Sequence, residues 1–236
     1  MDLIGECGVR LGSLLPALFK ARLSRFLGEV SFAGNVVLVH IPNTGRLDYA
    51  LTPGARVWLR RVSRVGRTEY DLILAECAGS RVVVDSSLQN RLVAAALGCG
   101  IIVELAGYTV CDEEVAVPGA RLDFMLCSSE RKYFLEVKGC TLAEQGYALY
   151  PDAPTLRGRK HLAKLVKMME QGFKAGVLFV ALRDDVVAFR ANTKIDPEFS
   201  RGLSRAHARG VDVMAYSVRI GADMVNIDSA IPVRLD

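Results

Sequence analysis

The period of the hydrophobic pattern changes once along this chain, near Asp85, and no other feature constrains the fold as much. Before that point apolar and polar residues alternate in short runs, as half-buried strands require. Phe19-Lys20-Ala21-Arg22-Leu23-Ser24-Arg25-Phe26-Leu27 is the clearest run, followed by 29–32, 35–41, 55–62, 69–75 and 81–84. Pro42-Asn43-Thr44-Gly45 and Pro53-Gly54 separate them with turn chemistry. About five short strands in ~80 residues predict a small β-barrel, OB-like as the first choice and SH3-like as the second.

After Asp85 the pattern predicts a helix capped by Ser87 and running to Leu97, then strands over 108–117, 121–127 and 132–140. An amphipathic helix over 156–172 precedes the unbroken apolar run 175–182, which reads as a strand buried on both faces. A strand over 186–190, a helix over 198–209 ended by Gly210 and a strand over 211–219 complete an α/β domain. The expectation is therefore two domains, a barrel over 1–85 and an α/β domain with a mixed central sheet over 86–236. With 236 residues, 51% apolar and 24% charged, the chain has material for both cores, and disorder as the main state is excluded. No stretch approaches the ~18–20 apolar residues of a membrane span. Acids at Asp2 and Glu6 replace the basic start of a secretory leader, so the expected location is the cytoplasm, without a membrane partner. Six cysteines without a CxxC or zinc spacing are expected as reduced, buried thiols, with a disulfide or two left open.

The chemistry concentrates in 121–138. Arg121 to Cys127 and Lys132 to Lys138 flank the polar loop Ser128-Ser129-Glu130-Arg131, a hairpin pattern. Pairing Cys127 with Lys132 sets Asp123 opposite Glu136, and side-chain alternation puts Lys138 on the same face. Charges embedded in strands this apolar are costly unless paired or bound to metal. Magnesium or manganese would reconcile the two facing carboxylates, since a hard cation takes one or two of them and keeps waters for a phosphate. Asp123, Glu136 and Lys138 are thus candidate catalytic residues, with Asp123 and Glu136 as metal ligands. An ordinary Asp–Lys ion pair at the mouth of a sheet is the alternative.

Net charge is only +4, yet Arg56, Arg60, Arg61, Arg64 and Arg67 occur within twelve positions free of acids. Arginine suits bidentate phosphate contacts, although biased codon usage would give the same excess. Arg157 and Arg159 lead into Lys160, Lys164 and Lys167 at helical spacing, opposite Leu162, Leu165 and Met169. That stripe fits a phosphate backbone or a plain solvated face. His161 is either a site residue or structural.

In order along the chain, Val39-His40-Ile41-Pro42-Asn43-Thr44-Gly45-Arg46, Glu104-Leu105-Ala106-Gly107-Tyr108, Arg121-Leu122-Asp123-Phe124, Glu136-Val137-Lys138, Pro151-Asp152-Ala153-Pro154-Thr155 and Lys160-His161-Leu162 resemble the sugar fermentation stimulation protein A family. The resemblance implies an N-terminal OB-like barrel and a C-terminal PD-(D/E)xK nuclease-like domain. Its nuclease motif falls on Asp123, preceded here by Leu122 rather than Pro, with Glu136 and Lys138, and Glu104 as an extra metal acid. It also implies a DNA-binding protein linked to control of sugar-utilisation genes. The two leading expectations are a DNA-binding protein with a Mg-dependent phosphodiesterase site and a non-catalytic DNA-binding regulator. A sugar-responsive module ranks third. Arg46, Arg60, Arg61, Arg64, Arg157, Lys160 and Lys164 are the candidate nucleic-acid contacts; strand type and oligomeric state stay open.

Overall fold

The computed structural model describes residues 4–235 apart from 6, 64, 65 and 67. Two short strands, β1 (Ile4–Gly5) and β2 (Gly8–Arg10), form an N-terminal hairpin. The barrel follows: β3 (Leu14–Ser24), β4 (Leu27–Phe32), β5 (Asn35–His40), β6 (Arg56–Arg61) and β7 (Tyr70–Cys77), with β8 (Ser80–Val83) added to β7. Neighbours run β5-β4-β3-β6-β7, and a β5–β7 pairing closes the ring into the expected five-stranded OB barrel. Alternation supplies its core, with Ala17, Phe19, Val30, Val39, Val57 and Leu59 inside. β7 is buried on both faces: Leu72 and Ala75 enter the barrel core, while Ile73 and Leu74 enter the core of the second domain. The two domains therefore share packed residues with no linker between them.

In the second domain α1 (Leu88–Gly98) leads to β9 (Thr109–Val117), β10 (Ala120–Cys127) and β11 (Lys132–Cys140). Then come β12 (Leu142–Glu144), β13 (Tyr147–Tyr150), α2 (Leu156–Glu170), β14 (Lys174–Ala181), β15 (Ala188–Ala191), α3 (Pro197–Ala208), β16 (Asp212–Ile220), β17 (Met224–Ala230) and β18 (Val233–Arg234). The main sheet runs β1-β2-β17-β16-β14-β11-β10-β9, with β11, β14 and β16 parallel and the flanks antiparallel. α1 covers one face through Leu88, Leu92, Val93 and Ala96. α2 and α3 cover the other through Leu162, Leu165, Met168, Phe199 and Leu203. This is the α/β domain with a mixed central sheet that was expected, and β14 is indeed apolar on both faces.

Three features depart from the expected layout. Residues 8–10 do not belong to the barrel, because β2 pairs with β17 and extends the main sheet. A small second sheet, β12-β13-β15-β18, is added; β15 overlaps the strand expected over 186–190, whereas β12, β13 and β18, of two to four residues, are too short to leave a periodic signal. Four cysteines are paired rather than free: Cys7 with Cys99, and Cys111 with Cys127. The first bond ties the β1–β2 turn to the C-terminal end of α1. The second joins adjacent antiparallel strands whose register sets the Cα atoms 5.9 Å apart. Cys77 and Cys140 are free. No described helix is long and apolar enough to cross a membrane.

Candidate active site

The hairpin register is the one the loop length predicts, with Cys127 opposite Lys132 and Phe124 opposite Leu135. The ladder stops there, one pair short of Asp123. Instead of a backbone carbonyl, Asp123 Oδ2 accepts the Val137 N–H at 2.7 Å, and Oδ1 accepts from Asn90 Nδ2 of α1 at 3.0 Å. The splay at the end of the hairpin thus turns a strand residue into a carboxylate held from two elements. Burial, then the charge of Glu136, raises the Asp123 carboxyl above its usual range, and the bonds from Val137 and Asn90 offset this only in part.

Glu136 is 2% exposed. Burial alone would raise its carboxyl, but hydrogen bonds from His161 and the ammonium of Lys138 hold it below the ordinary value. Both donors, His161 Nδ1 and Lys138 Nζ, act on Oε1. Oε2 is buried and has no hydrogen-bond partner, as is Asn90 Oδ1. An orphaned carboxylate oxygen in the interior costs on the order of 1–3 kcal/mol or more. A bound cation would satisfy it. The donors are hard oxygens from two carboxylates, which suits Mg²⁺ or Mn²⁺ and leaves shell positions for water or phosphate. Among the described residues no third His, Cys, Asp or Glu joins them to complete an all-protein cage.

These residues line a cleft of about 460 Å³ between the domains. One wall is the hairpin end with Gln89 of α1; the opposite wall is the barrel loop Asn43-Thr44-Gly45 with Asp152 and Thr155. Arg22 shapes that loop by donating to the carbonyls of Asn43 at 3.0 Å, Gly45 at 2.7 Å and also Arg46. Gly45 lets the loop approach Asp152 closely, since a Cβ there would lie 2.6 Å from Asp152 Oδ2 and force one of them to shift. Burial raises the Asp152 carboxyl, countered by backbone N–H groups that include that of Arg46. The barrel thereby forms part of the site.

The predicted residues divide. Asp123, Glu136, Lys138 and Arg157 meet in the cleft. Lys160 is exposed beside Arg157 on an adjoining cavity of about 310 Å³. Lys164 donates to the Pro118 carbonyl. Arg46 is exposed next to the cleft loop. Glu104, expected as a further metal acid, is not part of the group: it is exposed and accepts a 2.5 Å hydrogen bond from Tyr216 outside the cleft. Arg60 is half-buried and faces Asp71 at 3.6 Å and Asp85 at 3.5 Å, so its charge is already countered within the protein. Arg61 is exposed against Glu69, and Arg64 lies outside the described residues. Asn90 and Arg22 were not anticipated. The only available signal for Asn90 is a polar residue between the buried Leu88 and Leu92 of α1.

Fold and cleft define a class: an OB barrel fused to a mixed-sheet α/β domain with an Asp, Glu and Lys cluster where they meet. Two family profiles match the chain, the SfsA N-terminal OB domain over 21–84 and the sugar fermentation stimulation protein RE domain over 87–224. The chain belongs to the sugar fermentation stimulation protein family. Its sequence is 37% identical over 223 residues to a sugar fermentation stimulation protein homolog of Caldanaerobacter subterraneus subsp. tengcongensis, covering 94% of this chain and 97% of that one. It is 40% identical over 226 residues to the homolog of Carboxydothermus hydrogenoformans, with coverage of 94% and 97%. Among solved structures, Pyrococcus furiosus SfsA in complex with Ca²⁺ is similar over 99% of both chains, with a TM-score of 0.90 and 28% identity.

Proposed function

We propose that this is a cytoplasmic DNA-binding protein that hydrolyses phosphodiesters with a divalent cation, Mg²⁺ or Mn²⁺, held by Asp123 and Glu136. The observation that carries the reading is Glu136: buried, ionised, fixed through Oε1 and left with Oε2 unpartnered at a cleft that also holds Asp123 and Lys138. The Ca²⁺ complex of the Pyrococcus relative supports a hard divalent ion at this kind of fold.

A bound cation would supply Lewis-acid polarisation of a phosphate and acidify a coordinated water. Asp123 and Glu136 hold it, with the Val137 N–H and Asn90 keeping the Asp123 carboxylate in place. Lys138 Nζ, whose side chain is 13% exposed, stands at the cleft where negative charge develops on the phosphate, and a preorganised charge there stabilises the transition state. Arg157, Lys160 and Arg46 rim the cleft and provide phosphate contacts that position a strand without reading bases. The barrel loop closes the opposite side.

The second reading is a DNA-binding regulator without turnover. It is favoured by one observation: Lys138 Nζ is already engaged by Glu136. Calorimetry with Mn²⁺ on the full chain, with and without a DNA oligonucleotide, tests the cation site. Binding that Asp123→Asn abolishes is expected; the same isotherm in wild type and variant contradicts the assignment.

A further inference from the structure

His161 is 5% exposed on α2, and its ring connects the metal-side carboxylate to the rim of the cleft. Arg157, one helical turn earlier, donates from Nε to His161 Nε2 at 3.4 Å. A guanidinium has no acceptor, so Nε2 must carry the lone pair and Nδ1 the proton. Nδ1 then donates to Glu136 Oε1, the oxygen that also takes Lys138. Two donors on one oxygen fix the carboxylate plane and leave Oε2 buried and free. Nothing in an ordinary structural histidine calls for that division of labour, because a purely structural bond would be served equally well by either oxygen.

We infer that His161 is a positioning residue for the cation site: in the tautomer selected by Arg157, it clamps Glu136 through Oε1 so that Oε2 is presented as the ligand oxygen. This rests on the cation reading above and assigns a role to a residue outside the Asp, Glu and Lys cluster. Partners of this kind, behind a metal ligand, typically govern metal affinity by 10–100-fold.

Amide isosteres separate the two ring nitrogens. Asparagine places its N–H₂ where Nδ1 stands, whereas glutamine places it where Nε2 stands. With Mn²⁺ alone as the probe, calorimetry on the full chain should give His161→Asn an affinity within about threefold of wild type. His161→Gln and His161→Leu should each lose about 10–100-fold. In the ¹⁵N spectrum of the metal-free protein, the ring should show a protonated Nδ1 and an unprotonated Nε2. Equal Mn²⁺ affinity in His161→Leu and wild type, equal loss in the Asn and Gln variants, or a proton on Nε2 overturns the inference. If His161→Leu fails to fold, the Asn and Gln pair decides. Mn²⁺ uptake lost only in Asp123→Asn removes the role of His161 and keeps the cation site; no uptake by wild type removes both.

Discussion

Replacing Asp123 by Asn should make the metal-free protein more stable while destroying its site. In the wild type the carboxyl is raised because burial and the charge of Glu136 outweigh the Val137 N–H, Asn90 and Lys138, so the ionised form is held at a net cost. A neutral amide of the same shape removes that cost. The link to α1 is kept, because the Asn90 amide can turn over so that its Oδ1 accepts from the new N–H₂ in place of the bond that Nδ2 now donates. One unit of pKa displacement corresponds to about 1.4 kcal/mol, so relieving a raised carboxyl should make Asp123→Asn more stable by on the order of 1 kcal/mol in urea denaturation at pH 7 with EDTA. The pH dependence has a definite sign. A carboxyl whose folded pKa is raised adds stability as pH falls through that value, where the folded protein takes up its proton first. The wild type therefore catches up on acidification, and the advantage of the variant should shrink below neutral pH. A loss of stability at pH 7, or an advantage that does not shrink with acid, would refute the account of Asp123 as a carboxylate held ionised against its environment.

Lys138→Met should lower phosphodiester hydrolysis by about 10²–10³ while DNA affinity falls only slightly, because the charge matters in the transition state; equal losses in a filter-binding and a turnover assay would contradict this. Arg157→Ala should weaken DNA binding and reduce its salt slope by about one, whereas Arg60→Ala should lower the melting temperature and leave the slope alone, since Arg60 already faces Asp71 and Asp85. Cys7→Ser opens a loop of sequence separation 92 and should cost about 2–4 kcal/mol in urea under oxidising conditions; an unchanged midpoint would show that this bond does not hold the N-terminal hairpin.

The parts of this fold that the sequence made legible are those governed by local pattern. Alternation and turn residues revealed the barrel strands, and a four-residue loop was enough to set the register of β10 and β11, since slipping by one would turn every side chain over. What was illegible depends on distant partners. The N-terminal hairpin resembles any other short strand pair until β17, more than 200 residues later, offers it an edge. Cys111 and Cys127 meet only because β9 and β10 pair, and the spacing of cysteines alone does not contain that information. At the site, Asp123, Glu136 and Lys138 could be placed from strand alternation. Asn90 and His161 reach them from opposite faces of the sheet: Asn90 looks like an ordinary polar residue on an amphipathic helix, and for His161 the sequence left both a site role and a structural one open, because the partner that decides it is on β11. Glu104 misled for the complementary reason, since it lies in a shared family motif yet bonds Tyr216 outside the cleft.

The central claim is that the cleft turns over. Labelled single-stranded and double-stranded DNA, and RNA of the same sequences, should be incubated with the full chain in Mg²⁺, Mn²⁺ or EDTA, beside Asp123→Asn as the folded control. Cleavage of at least one substrate that requires the cation and disappears in Asp123→Asn is the expected result. DNA retained equally by both proteins, with no product under any cation, would contradict the enzyme and leave a binding protein.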